Sequence, residues 1–306
     1  MLVAMFPAPP TPVFEPHQSA TNERFLRYDD CTQDGRLITI AVPPGLSTLF
    51  QSAALRHPSM RAAMSKGTLC LLTRLTVTSL DNPIRVQRPA VVESGYQLAH
   101  DRDAAGAVTR LFMNVWADVR GRSYRPGLRP TPDEPSLPGE QVLAGQAFAE
   151  HTFTRPFAPA DQRRVTSLAG EDGALFVPEV RYHQPAPAGA GELPEGASWL
   201  DALTADAVET VFTLDHSDAN QHVNSLVYVR LFLDAVARCL VAAGHSPRLR
   251  SKAFDIAYRK PSFVGDRVRV HVRLFARGDV VGGAGFIAAA GEEAKPRCYV
   301  RAAYGA

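Results

Sequence analysis

The chain has little of what several large classes of protein require. Its four cysteines, Cys31, Cys70, Cys239 and Cys298, lie far apart in 306 residues and never as CxxC, which leaves no zinc ribbon and no dense disulfide framework. Cys70 and Cys239 sit inside apolar segments and read as reduced core residues, a usage that favours the cytoplasm. Nine histidines include no His-x-x-x-His pair, so no catalytic metal, and no other cofactor, is expected. Charge of one sign is also missing: 33 bases against 31 acids leave a net +2, with no basic run to hold nucleic acid. No apolar stretch approaches the roughly 18 residues of a membrane span. Met1 to Phe6 is too short for a signal-peptide core, and the prolines and Glu15 that follow do not resemble an Arg-rich transit peptide, so no targeting is expected. Gly282-Gly-Ala-Gly285 lacks the loop and long helix of a nucleotide fold and reads as a bend between strands.

What is present is concentrated in Asp218-Ala-Asn-Gln-His222-Val-Asn-Ser-Leu-Val-Tyr228. An acid, an amide and an imidazole at alternate positions open into Val223–Ala243, a stretch without Pro or Gly that reads as a helix buried on most sides. Arg230, Asp234 and Arg238 recur every four residues, which confines the solvent-facing stripe to one side. The structural alternative is a capping turn, since Asp and Asn bond readily to nearby backbone amides. His216 is near enough to reach the same place but reads as exposed, and Tyr228 reads as core.

The motif, carried by Asp218, Asn220, His222, Val223, Asn224 and Tyr228 with Ser225 where a second Asn is usual, resembles the signature of hotdog-fold thioesterases. It is most similar to that of the plant-type acyl-ACP thioesterases. Phe254-Asp-Ile-Ala-Tyr-Arg-Lys-Pro-Ser-Phe-Val-Gly-Asp266 resembles the strand pair after the helix in that superfamily, and Met64–Val77 more weakly resembles the segment after its first helix. The resemblance implies an α+β tandem double hotdog, each unit a long central helix wrapped by an antiparallel β-sheet. It implies hydrolysis of an acyl thioester, with Asp218 as base or nucleophile and with Asn220 and His222 orienting water or the acyl carbonyl. The backbone N–H groups of Val223 and Asn224, at the positive end of the helix dipole, would polarise the carbonyl. Pro261 and Ser262 stand where the plant-type enzymes place a Glu followed by a Cys. That departure is more like the simpler bacterial acyl-CoA thioesterases, which rely on one Asp, and it leaves Ser262 beside Tyr228 as a supporting residue.

Organisation along the chain fits two repeats. Residues 1–20 form an irregular Pro-rich arm, and 21–122 a first hotdog that serves as structural half and pocket wall. Residues 123–200 hold a Pro-rich linker and a connecting segment with no clear pattern, and 201–306 form the second hotdog, which carries the motif. Within the first unit, Arg24–Ile40 reads as two strands meeting at Gln33-Asp34-Gly35, and Leu46–Met64 as a helix broken or kinked by Pro58, with Leu49 and Phe50 facing the acyl chain. No acidic motif matches Asp218 there; Asp29 and Asp30 are the nearest acids.

The expected substrate is a thioester on acyl carrier protein, or on coenzyme A as second choice. Arg56, Arg61 and Lys66 are a weak carrier-docking set. A monomeric pseudo-dimer and a homodimer of double hotdogs are both compatible. Two alternatives remain: a hotdog dehydratase or hydratase of 3-hydroxyacyl or enoyl thioesters, whose His-x-x-x-Gly-x-x-x-x-Pro pattern is missing, and a non-catalytic acyl-binding pathway protein.

Overall fold

The computed structural model describes residues 6, 8–46, 49, 57–123, 139–170 and 172–306. Five strands make the first half of one large sheet: β1 (Ser19–Arg24), β2 (Leu69–Ser79), β3 (Ala90–Arg102), β4 (Val108–Arg122) and β5 (Gln141–Thr154). Four two-residue strands follow, β6 (Leu168–Ala169), β7 (Leu175–Phe176), β8 (Val180–Arg181) and β9 (Ser198–Trp199). The second half comprises β10 (Thr204–Val211), β11 (Arg250–Tyr258), β12 (Arg267–Arg277), β13 (Val280–Ala288) and β14 (Cys298–Gly305). The described helices are α1 (Pro58–Ser65) and α2 (Ser225–Ala242), with several single 3-10 turns.

The sheet runs β1-β3-β4-β5-β2-β11-β14-β13-β12-β10. Read inward from each edge, the two halves have the same strand order, first-third-fourth-fifth-second, and they meet where β2 pairs antiparallel with β11, Thr76 opposite Asp255. The chain therefore folds one topology twice. This extends the first half beyond residue 122: β5, in the segment without a clear pattern, pairs with both β4 and β2. Its Ala, Gly, Gln and Glu content has low strand propensity, and only its two neighbours make it a strand.

Alternation along the strands sends side chains to two covered faces. Leu75, Val77, Phe254, Ile256, Val300 and Ala302 join the inner core with the apolar side of α2. On that helix Tyr228, Val229, Phe232, Ala235, Val236 and Leu240 are buried, spaced as one helical face, while Arg230, Asp234 and Arg238 are exposed. Each of the large buried side chains contributes roughly 1.5–3 kcal/mol. The Asn224 side chain caps the first turn, accepting from the Leu226 N–H at 2.9 Å, and Gly244 at φ +86° ends the helix.

The opposite face is covered by the Pro-rich arm and by residues 155–200. Phe6 packs with Ala253, Phe275, Val280, Ala284 and Ala303, and Trp116 donates its Nε1–H to the Pro9 carbonyl at 2.9 Å. Glu150 on β5, buried, accepts hydrogen bonds from Thr73 Oγ1 (2.5 Å), Tyr182 OH (2.8 Å) and Gln184 Nε2 (2.6 Å). Beside it at the seam, Asp255, with no exposed surface, accepts from Arg74 Nε at 2.8 Å, Thr76 Oγ1 at 3.0 Å and Arg301 Nη2 at 3.0 Å. Burial alone would lower the Arg74 pKa; the Asp255 carboxylate reverses this and raises it.

Two local expectations are corrected, and a third holds. Arg24–Ile40 is not a strand pair: after β1 come a 3-10 turn at Tyr28–Asp30 and a loop closed by a single bridge between Cys31 and Leu37. Pro58 interrupts helical backbone as expected: His57 is extended, and Pro58 starts α1 in its first turn, where its missing N–H costs nothing. The Gly282–Gly285 run lies inside β13, because a Cβ at Gly282 or Gly285 would strike the Ala302 or His271 carbonyl oxygen, and one at Gly283 would meet Val236 of α2. Residues 47–48 and 50–56 of the Leu46–Met64 segment, Phe50 and Arg56 among them, and the linker core at 124–138 lie outside the described residues.

Candidate active site

The segment between β10 and α2 is a tight loop held by backbone bonds. Asp218 N–H donates to the His222 carbonyl (3.1 Å), Gln221 N–H to the Asp218 carbonyl (2.9 Å) and Asn224 N–H to the His216 carbonyl (2.9 Å). Closing the loop puts Gln221 at φ +65°, the one non-glycine residue with positive φ among the described residues. Such a conformation is unfavourable for a residue with a Cβ and is found disproportionately at functional loops.

The loop fixes Asp218. Its Oδ1 accepts the Asn220 N–H at 2.8 Å, and its Oδ2 accepts from Asn224 Nδ2 at 3.3 Å. Both carboxylate oxygens are thus held while the side chain stays half-buried, and no cation pairs with it among the described residues. His222 is half-buried beside it, its Nδ1 3.3 Å from the Val223 carbonyl, a contact that suits a proton on Nδ1 and an acceptor at Nε2. Asn220 is exposed. His216 is half-buried rather than exposed: its Nδ1 accepts the Thr213 N–H at 3.0 Å, and its ring meets Phe212 edge-on at 5.8 Å.

Two expected donors are otherwise engaged. The Val223 N–H donates to the Ser262 carbonyl at 2.8 Å, and the Asn224 N–H is the one spent on His216. This corrects the assignment of these two amides to the carbonyl, because a bonded N–H offers nothing to a developing oxyanion. The amides of His222 and Ser225, the latter in the first turn of α2, have no acceptor among the described residues. Tyr228 is buried and its hydroxyl accepts the Ser262 N–H at 2.8 Å; burial raises its pKa. Ser262 has no exposed surface, and its Oγ finds no partner among the described residues. The pair braces the loop from below: Ser262 joins Tyr228 on α2 to Val223.

The first half of the chain carries the same loop with other side chains. Thr32 N–H donates to the Arg36 carbonyl (2.8 Å), Gly35 N–H to the Thr32 carbonyl (2.9 Å) and Ile38 N–H to the Asp30 carbonyl (2.9 Å). Gly35 at φ +80° matches Gln221, and the Cys31–Leu37 bridge matches Ser217–Val223. Thr32, Asp34 and Arg36 therefore stand where the second half has Asp218, Asn220 and His222. Arg36 pairs with Asp34, and Asp81 of the following turn receives Arg250 and Lys252. The position of Asp218 is filled by a hydroxyl, which is no base near neutral pH. Asp29 and Asp30 sit one turn earlier, with Asp30 paired to Arg24 and Arg27.

The folded chain is similar to two solved structures over nearly its full length. An acyl-ACP thioesterase from Bacteroides thetaiotaomicron VPI-5482 superposes with TM-score 0.59 at 15% identity, covering 94% of this chain and 97% of that one. A 12:0-ACP thioesterase from Umbellularia californica superposes with TM-score 0.50 at 13% identity, covering 94% and 96%. The chain has a hotdog-type fold. By sequence, no protein-family model and no curated protein matches it. In hotdog terms α2 is the wrapped helix of the second half, and the Asp218 loop leads into its N-terminus.

An apolar recess of about 520 Å³, lined by Leu240, Val241, Pro247, Leu249 and Tyr304 among others, lies at the far end of α2. Its lining begins at Ala237, roughly 18 Å along α2 from Ser225, so it does not seat the reacting group. Among the described residues no group of three metal-ligating side chains gathers, and no helix is long and apolar enough to cross a membrane.

Sequence reading missed the side-chain role of Asn224, which caps α2 and holds Asp218 at once. An Asn directly before a helical apolar run is an N-cap signal, and that signal was present. Nothing in the sequence marked the equivalence of Thr32–Leu37 with Asp218–Val223, since only the backbone repeats.

Proposed function

We propose that the chain is a tandem double hotdog that hydrolyses acyl thioesters at one site, in its second repeat, and releases a free carboxylic acid and a thiol. The observation that carries this reading is the Asp218 carboxylate, held at both oxygens and without a counter-cation among the described residues, at the start of a buried helix.

In this reading Asp218 takes a proton from water, and the resulting hydroxide oxygen bonds to the thioester carbonyl carbon. The charge that develops on the carbonyl oxygen meets the His222 and Ser225 amides and the positive end of α2. Collapse of that intermediate breaks the C–S bond, and the proton held by Asp218 passes to the departing thiolate. Asn220 and the His222 ring orient the water and the acyl carbonyl. Thr32 leaves the first repeat without a base, so that repeat supplies structure and pocket wall. Acyl carrier protein is the preferred thiol carrier, as in the names of the two similar structures, with coenzyme A second.

The test is incubation of the purified protein with acyl-carrier and acyl-CoA thioesters while free thiol and product mass are followed. Thiol release supports the reading. A product heavier or lighter by one water points to a hydratase or dehydratase, and recovery of intact bound ligand points to an acyl-binding protein.

A further inference from the structure

A row of inward side chains starts beneath the active-site end of α2 and ends at Tyr96. The Tyr258 hydroxyl donates to the Ser225 carbonyl, in the first turn of that helix, at 3.0 Å. Two residues back on the same face of β11, Ile256 pairs with Leu75, Leu75 with Ala149, Ala149 with Val115 and Val115 with Tyr96. All five are buried and belong to the inner apolar core. The row thus crosses from the second repeat into the first over four strand spacings, about 19 Å. Its middle, Ala149 and Val115, has the two smallest side chains of the five.

At its far end the row turns polar. Tyr96 is 1% exposed, and its hydroxyl has no hydrogen-bond partner among the described residues. Ser94, the preceding inward side chain on β3, is satisfied by the Ala20 carbonyl at 3.2 Å. The half-buried His57 ring stands edge-on to Tyr96, with centroids 6.3 Å apart. Its Nδ1 accepts the Ser59 N–H at 3.2 Å, which leaves the proton of the neutral ring on Nε2. Burial raises the Tyr96 pKa, so the hydroxyl keeps its proton and can donate as well as accept. A phenylalanine would fill the same space without the cost of a buried, unpaired hydroxyl. A polar group brought in by a ligand supplies the missing bond.

Resting on the thioesterase reading above, with the first repeat as pocket wall, we propose that Tyr96 is a specificity-determining residue for an acyl chain carrying a hydroxyl or oxo oxygen toward its far end. The thioester carbonyl sits at the Asp218 loop, and the chain follows the row from Ile256 to Tyr96, its apolar carbons over Leu75, Ala149 and Val115. Its oxygen then meets the Tyr96 hydroxyl, which donates to an oxo group and donates to or accepts from a hydroxyl. An unsubstituted chain of the same length leaves that hydroxyl unpaired. A site that hydrogen-bonds a substrate oxygen discriminates against the analogue lacking it far more strongly than an apolar wall discriminates by one methylene.

The experiment uses the full chain and its Tyr96→Phe variant on acyl carrier protein thioesters of increasing chain length. At each length the chain is unsubstituted, oxygenated at its terminal or penultimate carbon, or hydroxylated only at the β-carbon. At the best length the unmodified protein is expected to prefer the far-oxygenated substrate over the unsubstituted one by about tenfold or more in kcat/KM. Tyr96→Phe should erase that preference by raising KM on the far-oxygenated chain, and keep turnover of the other two within about twofold. Its melting temperature should hold or rise, because no bond within the fold is lost. No preference for the far oxygen at any length, or an equal effect of the substitution on all three substrates, would overturn the proposal. So would a fall in melting temperature with the preference unchanged. If the unmodified chain hydrolyses no thioester, the thioesterase reading fails instead, and calorimetric binding of the free far-hydroxylated and unsubstituted acids to both proteins still decides the role of Tyr96.

Discussion

Asn224 Nδ2 donates to Asp218 Oδ2 at 3.3 Å while Asn224 Oδ1 accepts the Leu226 N–H at 2.9 Å. One side chain therefore ties the start of α2 to the acid in front of it. Asn224→Ser keeps a good N-cap and removes the donor to Asp218; Asn224→Ala removes both. The Ser variant is expected to keep its melting temperature and lose about tenfold in kcat, because the carboxylate is no longer held at both oxygens in the position the attack requires. The Ala variant should show the same kinetic loss and also lose about 1 kcal/mol of stability. A Ser variant with unaltered kinetics would reduce Asn224 to a cap.

Gln221 is held at φ +65° where the first repeat has Gly35 at φ +80°. Gln221→Gly is expected to leave stability unchanged or raise it slightly, and Gln221→Val to lower it by about 1–2 kcal/mol. Thermal melts of the two variants read this directly; equal stabilities would mean that the loop relaxes and that its backbone is not imposed by the surrounding bonds.

At the seam, Asp255 neutralises Arg74 and Arg301 with no exposed surface of its own. Asp255→Asn leaves two guanidinium groups in a buried site with one fewer charge between them, at a cost of about 3–5 kcal/mol. Because the pair joins the two halves of the sheet, the loss should appear as one cooperative transition at lower denaturant concentration. Retained stability would show that solvent reaches the seam.

Burial pushes the His151 pKa down from 6.5 to about 4. Between those values the unfolded chain binds a proton that the folded chain refuses, so stability falls as pH is lowered from 6.5 toward 4 and levels off below. The full difference is on the order of 3 kcal/mol. His151→Gln should flatten this part of the stability–pH curve; a curve of unchanged slope would assign the acid sensitivity elsewhere.

Much of the second half was legible because its signals are local. The apolar spacing of Tyr228, Phe232, Val236 and Leu240 specifies one face of a helix, and the observed helix begins two residues after Val223. Of the strands after it, β12 alternates buried with less buried positions over most of its length. The first half was harder: β5 takes its conformation from β2 and β4 rather than from its own residues, and the Thr32–Leu37 loop shares hydrogen bonds but no chemistry with Asp218–Val223. The carbonyl-polarising amides were misassigned for a related reason. Sequence places Val223 and Asn224 at a helix start, but only the fold brings the Ser262 and His216 carbonyls to occupy them.

The central claim is that Asp218 is the base of a thioester hydrolase, and the most direct measurement is thiol release by Asp218→Asn beside the unmodified chain on the same acyl-carrier thioester. The substitution keeps the shape and removes the anion. Turnover is expected to fall by about a hundredfold or more with the circular dichroism spectrum and melting temperature preserved. Near-normal thiol release from a folded Asp218→Asn protein would contradict the account.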